Sequence, residues 1–275
     1  MTAGAFRAEC ASCFGLCCVV PAFSKSAEFA INKPALVACP NLGADSRCGI
    51  HDRLRPSGFA GCTVYDCFGA GQQVSQVTFG GTDWRSSAVL AEQMFAVFPV
   101  MRAVQEVLSY VVEACGWPSS AAVLGELSAT RDRLSALAHS DAGSLLTVDV
   151  DSLRGSANAL LLQASQSRRA GQAACSVDHR GAMLIGTSLR GRDLRGASFR
   201  GAQLIGAELR DADLRLADLI GADLRGADLT GADLRDALFL TQSQLDAARG
   251  DAAAKLDDRF TPPAHWSQLG GQYDG

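Results

Sequence analysis

The sequence predicts a multidomain α+β protein: a small cysteine-rich module, a helical middle region and a coiled repeat domain closed by a helical cap. Three observations carry that prediction. Eight of the ten cysteines lie between Cys10 and Cys67. Apolar residues recur at helical spacing between about 83 and 170. A large apolar residue then returns at every fifth position from Leu184 to Phe239.

Composition sets the outer bounds. The chain has 275 residues, 48% of them hydrophobic, and a net charge of −4. That is enough for two modest packed domains and too apolar for wholesale disorder. The small net charge gives no drive toward nucleic acid or an anionic membrane, so neither is an expected partner. Met1 to Cys10 holds one Arg and no apolar run, so no secretory signal is expected there. The longest apolar stretch, near Val97 to Val112, is interrupted by Arg102, Gln105 and Glu106 and reads as too polar to span a bilayer. The expected compartment is cytoplasmic, where thiols stay reduced.

The first module, residues 1–80, is rich in Cys, Gly and Phe. Its turn residues include Pro21, Pro34, Pro40, Pro56, Gly58 and Gly69. A loop-rich segment of this size needs staples. Cys10, Cys13, Cys17, Cys18, Cys39, Cys48, Cys62 and Cys67 supply them. Cysteines used as small core hydrophobes would be scattered along the chain. Clustered thiolates that do not pair as disulfides ligate metal, and zinc or iron are the candidates. Eight thiolates fill two tetrahedral zinc sites, or four of them hold an iron–sulfur cluster. Disulfides or bare thiols are the third reading. Cys17 and Cys18 are adjacent and point in different directions, so they serve two sites or one distorted one. His51 is a further candidate ligand, or else a turn or outer residue. Asp52 and Asp66 are placed to orient ligands or simply to form turns. Cys115 and Cys175 stand apart and read as inert thiols.

This pattern resembles the zinc- or iron-chelating CxxCxxCC (YkgJ-like) family over about 65 residues. Cys10, Cys13, Cys17 and Cys18 match its start; Cys48, Ile50, His51, Arg55, Pro56 and Cys62 match the turn and Arg-Pro that follow. The step from Cys13 to Cys17 is one residue longer than the family pattern, and His51 stands where Tyr is common. The resemblance implies a bound zinc or iron.

The middle region, 83–170, reads as helices. Leu90, Met94, Val97, Met101, Val104, Leu108 and Val111 mark one face, with a kink or break expected at Pro99. Gly116 suits the position after the last turn. Leu124, Leu127, Leu134 and Leu137 form a second stripe. Leu146, Val150, Leu153, Ala157, Leu160 and Leu161 form a third.

The repeat occupies 180–241. Ala usually stands two before each large apolar residue, Asp often one before and Gly often two after. A period of five fits neither a helix nor a plain strand. It fits a chain that turns a corner after each unit, with Leu and Ala inward on every side. This resembles the pentapeptide-repeat family, which implies a right-handed quadrilateral β-helix with four units per coil. Twelve units then make three coils, about 14 Å tall. Residues 242–275 break the register after Phe239 and read as the cap that an open β-helix end requires, through Trp266.

The faces of such a coil differ. Arg195, Arg215 and Arg235 stack beside Asp193, Asp213 and Asp233 as an ion-pair ladder, each pair adding little. Ile185, Ile205, Ile220 and Leu240, beside Met183 and Leu238, form apolar columns that predict contact. The helical segment 145–165 is expected there, with homodimerisation as its competitor. From Arg180 to Thr241 nine acidic residues balance nine Arg, which weakens the family's best-known role, imitation of duplex DNA toward gyrase.

No catalytic constellation stands out. "GAGQQ" at 69–73 lacks the lysine of a phosphate loop, and no H-E-x-x-H is present. The leading expectation is a non-catalytic metal-binding protein with a β-helical platform for an as yet unspecified protein partner. The alternative is an iron–sulfur or metal-dependent redox sensor, or a peptide-modifying catalyst. Gyrase binding is the third reading.

Overall fold

The structure, a computed structural model, describes residues 6–268. The chain divides into two compact units, the first ending at Gln163 and the second beginning at Ala164.

In the first unit the cysteine-rich segment is mostly turns. It holds three short helices: α1 (Leu16–Val19), α2 (Ala60–Thr63) and α3 (Ala70–Gln72). A π-helical turn, Gln73–Thr78, continues from α3. The long helix α4 (Ala88–Cys115) follows, then α5 (Leu124–Ala138), α6 (Ala142–Leu146) and the start of α7 (Val150–Arg169). Met94, Val97, Phe98, Met101, Val104, Leu108 and Val111 of α4 are fully buried, so the apolar stripe is the core of this unit.

Helix α4 runs through Pro99 without a break. Pro99 lies on the exposed face, while Val97 and Phe98 hold the buried face. By length and composition α4 is apolar enough to cross a membrane, contrary to the sequence reading, and just over half of its most apolar stretch is buried inside the unit. The helix ends at Gly116, but with φ −77°, so the left-handed freedom of glycine is not used. The third apolar stripe is two helices rather than one. Asp141 caps α6 by accepting from Ser144 N–H at 3.0 Å. Asp149 accepts from Ser152 N–H at 3.0 Å at the start of α7. Leu146 is therefore exposed and Leu145 buried in its place.

Hydrogen bonds and apolar packing tie the cysteine-rich segment to the helical region. Trp84 Nε1 donates to Phe14 O at 2.9 Å, Arg102 Nε of α4 to Asp66 O at 2.7 Å, and Gln73 Nε2 to Ala138 O at 2.7 Å. Leu16, Val19, Ala70 and Val74 are buried to 1% or less. Phe68 meets Tyr110 edge to face, ring centres 6.0 Å apart.

The second unit is a four-sided β-helix. Its ladder pairs residues twenty apart: Asp178 with Ser198, Ser198 with Asp218, Asp218 with Leu238, and likewise round the other sides. Leu204 N–H donates to Asp223 O at 2.9 Å and Asp223 N–H to Ala202 O at 2.9 Å, locking one coil on the next. Each corner falls two residues after the inward Leu and has positive φ, 64° at Gly201 for example. That is why glycine recurs there. Asp211, Leu216 and Asp236 hold the same conformation without being glycine, at φ 57–58°. Leu and Ala from Ala197 to Ala237 fill the interior.

The tail caps the coil. Helix α8 (Gln242–Ala247) starts with a capping box between Thr241 and Gln244. Arg249 and Lys255 then extend the ladder from Asp228 and Asp233. Trp266 lies over Gly250, is 3% exposed, and donates from Nε1 to Ala248 O at 3.1 Å.

The outer faces carry the expected ladder: Arg195, Arg215 and Arg235 meet Asp193, Asp213 and Asp233 at 2.7, 2.6 and 2.6 Å. Of the apolar columns, Leu240 and Leu238 are buried within the unit, Ile205 and Ile220 are half-buried, and Met183 and Ile185 are exposed. The end of α7 covers the face of Asp218. Ser165 Oγ donates to Asp218 Oδ2, Arg169 Nε donates to Ser165 Oγ at 3.1 Å, and Arg200 meets the buried Asp218 at 2.7 Å.

Candidate metal centre

All eight clustered cysteines line one cavity of about 630 Å³, together with His51 and Tyr65. All eight are free thiols. Cys39 is buried, Cys10 and Cys17 are exposed, and the rest are half-buried. His51 sits exposed in the 3-10 turn His51–Arg53. Asp52 pairs with Arg53 at 3.3 Å. Asp66 Oδ1 accepts from Phe68 N–H at 2.8 Å, a turn role. Cys115 and Cys175 are not part of the cavity wall.

The local sequence explains how the sulfurs are held. Cys-Phe-Gly occurs twice, at 13–15 and 67–69. In both copies the glycine is left-handed, φ 70° at Gly15 and 78° at Gly69, and opens a short helix. The turn folds backbone N–H groups onto the sulfur. Gly15 and Leu16 donate to Cys13; Gly69 and Gly71 donate to Cys67. Ile50 N–H does the same for Cys48. Such N–H to sulfur bonds favour the thiolate, the form that ligates metal. The repeated tripeptide is legible in the sequence but was not singled out there.

The protonation states differ from thiol to thiol. Burial pushes Cys10, Cys13, Cys48 and Cys67 upward, and Cys62 to about 11. Cys18 goes the other way, to about 7, because the Cys17 thiol donates to it, with Lys33 and the Cys48 thiol assisting. Cys17 is correspondingly held well above the usual thiol range by that same bond. Lys33 is 3% exposed; its ammonium donates to the carbonyls of Val19, Pro34 and Val37 at 2.8, 3.0 and 2.9 Å. No motif marks Lys33 in the sequence.

Among the described residues, no three His, Cys, Asp or Glu side chains are already gathered tightly enough to grip an ion. The thiols form the wall of the cavity rather than meeting at a point. The chemistry of the donors nevertheless fits a soft metal: reduced sulfurs, several with amide donors, and one buried cation to offset thiolate charge.

Comparison with known proteins fixes the class. The Pentapeptide repeats family model matches residues 197–236 in eight copies, so the second unit is a pentapeptide-repeat β-helix. Uncharacterized protein YybG of Bacillus subtilis (strain 168) is 52% identical over 262 residues, covering 94% of this chain and 94% of that protein. The chain belongs to the same family as YybG. Two solved structures are similar over the repeat. One, a pentapeptide repeat protein from the Arabidopsis thaliana thylakoid lumen, is 35% identical, with 36% of this chain and 63% of that one covered and a TM-score of 0.24. The other, HetL from the cyanobacterium Nostoc sp. strain PCC 7120, a pentapeptide repeat protein involved in heterocyst differentiation regulation, is 28% identical, with 32% and 46% covered and a TM-score of 0.14. The chain spans less than two thirds of either solved structure.

Proposed function

We propose that this is a metal-binding, non-catalytic protein, in which the cysteine-rich segment holds zinc or iron and the β-helix serves as a protein-interaction platform in the cytoplasm. One observation carries the reading: eight free thiols, spread over 58 residues of sequence from Cys10 to Cys67, line a single cavity. Gathering eight unpaired thiols around one space has no packing rationale, whereas soft cations require such a donor set. Cys10, Cys13, Cys17, Cys18, Cys39, Cys48, Cys62 and Cys67 would hold the metal, and His51 borders it. A bound metal would supply cross-linking of loops that have few regular elements. The platform reading rests on the repeat, whose charged faces are neutralised pair by pair. That balance argues against imitation of duplex DNA.

The test is metal and sulfide analysis of anaerobically purified full-length protein, with its visible spectrum. Stoichiometric zinc in a colourless protein supports a structural centre. Iron with labile sulfide and a brown colour supports the redox-sensor alternative, for which the amide-bonded sulfurs are the favouring observation. Absence of both metals, with thiols that oxidise to disulfides in air, overturns the reading.

A further inference from the structure

Hydrogen bonding sorts six of the eight thiols into two groups that sequence order does not suggest, and Cys17 and Cys62 join them through their thiol neighbours. The first lacing joins the N-terminal strip to the segment after Cys67. Glu9 N–H donates to Gln72 Oε1 at 3.1 Å, Gln72 Nε2 to Arg7 O at 2.8 Å, Phe14 N–H to Ser75 Oγ at 3.1 Å and Gln76 Nε2 to Ser12 O at 2.9 Å. The Cys13 sulfur rests on Gly71, where a Cβ would lie only 2.6 Å away. This brings Cys10 and Cys13 to Cys67, and the thiols that act most strongly on Cys10 are Cys13 and then Cys67, with Cys18 after them.

The second lacing joins Cys18, Cys39 and Cys48. Cys39 N–H donates to Cys18 O at 2.9 Å, and Leu42 N–H to Cys39 O at 2.9 Å. Leu42 then pairs antiparallel with Cys48. The Cys48 thiol is hydrogen-bonded to the Cys18 sulfur. Cys62 faces the same three, Cys18, Cys39 and Cys48. The two groups meet at α1, where Cys17 and Cys18 are successive residues and project about 100° apart. Beyond Cys18, Cys17 has Cys13 and Cys67 as neighbours. Lys33 acts on the second group, through Cys39 and Cys18.

We propose that the chain holds two adjacent soft metal ions, one on Cys10, Cys13, Cys17 and Cys67, the other on Cys18, Cys39, Cys48 and Cys62. The proposal rests on the metal-binding reading above and adds to it a ligand assignment. Each set would supply four thiolates, the number that suits zinc or its spectroscopic substitute cobalt. The Cys17–Cys18 step makes the two sites neighbours.

Two readouts test it on the reduced, full-length protein without oxygen. In the first, Co(II) is titrated and thiolate-to-cobalt absorption is followed in the wild type, in C13S/C67S and in C39S/C48S, with circular dichroism to check that the helices survive. The expected result is two equivalents for the wild type and one for each variant. The second readout needs no variant. Wild-type protein is given zinc below one equivalent, alkylated, and mapped by mass spectrometry, with the solvent-exposed Cys175 as an unprotected reference. Protection should appear in sets of four that keep Cys10, Cys13, Cys17 and Cys67 together and Cys18, Cys39, Cys48 and Cys62 together. A single equivalent for the wild type, loss of both ions in either folded variant, or protection that mixes the sets overturns the assignment while leaving metal binding intact. A wild type that takes up no cobalt and no zinc overturns both.

Discussion

At the scale of single residues, the site is made by small backbone devices. The left-handed glycines of the two Cys-Phe-Gly turns aim amides at Cys13 and Cys67. Gly71 matters for a different reason: it leaves room for the Cys13 sulfur. Gly71→Ala should therefore push Cys13 away from Cys67, weakening the metal site that contains them by tenfold or more, about 1.4 kcal/mol. A competition titration against a chromophoric chelator checks this, and the second ion should keep its affinity. The cysteine positions were legible because clustering of that residue has few causes. Lys33 was not, since a lysine buried behind thiols looks in sequence like any surface lysine, and only the fold turns it inward. His51 is a candidate through the family resemblance, and the structure leaves it exposed on the cavity wall.

At the scale of elements, the five-residue unit was fully legible, because its period is incompatible with a helix or a plain strand. The corner conformation turns that pattern into stability. Gly196 and Gly201 both sit at positive φ, 73° and 64°. A Cβ at Gly201 meets nothing, whereas at Gly196 it lies 2.6 Å from Gln172 Cβ. Gly201→Ala should cost about 1 kcal/mol from backbone strain alone, and Gly196→Ala about 1 to 3 kcal/mol more from the clash. Chemical denaturation of the two variants side by side reads the difference. The charged faces predict acid sensitivity. Arg195 holds Asp193 down to about 2, and Arg180, Arg215 and Arg235 hold Asp178, Asp213 and Asp233 below the usual carboxylate range. Groups depressed in the folded state add stability that is complete above the unfolded value near 4. That contribution is lost as pH falls toward 2. The melting temperature of the repeat should drop across that window, and less so in high salt. Boundaries in the helical region were less legible. Pro99 reads as a kink or a break, and the break does not occur because the proline falls on the exposed face of a continuous helix. The third stripe merges α6 and α7 because leucine spacing alone does not show the caps Asp141 and Asp149 that separate them.

At the scale of the whole chain, each unit is stabilised differently. The first has a true apolar core in α4 together with a thiol-lined cavity, so metal removal should loosen residues 6–80 and spare α4. Limited proteolysis after chelation should cut between about 20 and 65 first. In the second unit the least replaceable contact is the buried pair of Arg200 and Asp218, 7% and 0% exposed. Arg200→Met removes the cation paired directly with that carboxylate and should cost about 3 to 5 kcal/mol, read from denaturant unfolding. Removing the exposed Arg195 should change little. Neither the pair nor its Ser165 and Arg169 partners could be read from the sequence, because Arg200 and Asp218 occupy ordinary repeat positions.

The measurement that bears most directly on the central claim is X-ray absorption at the metal edge of full-length protein isolated without oxygen. Sulfur neighbours only, at about 2.3 Å and four per metal, are the predicted result for zinc or for an iron–sulfur centre held by these cysteines. A first shell of nitrogen and oxygen, or no metal edge at all, would contradict the account.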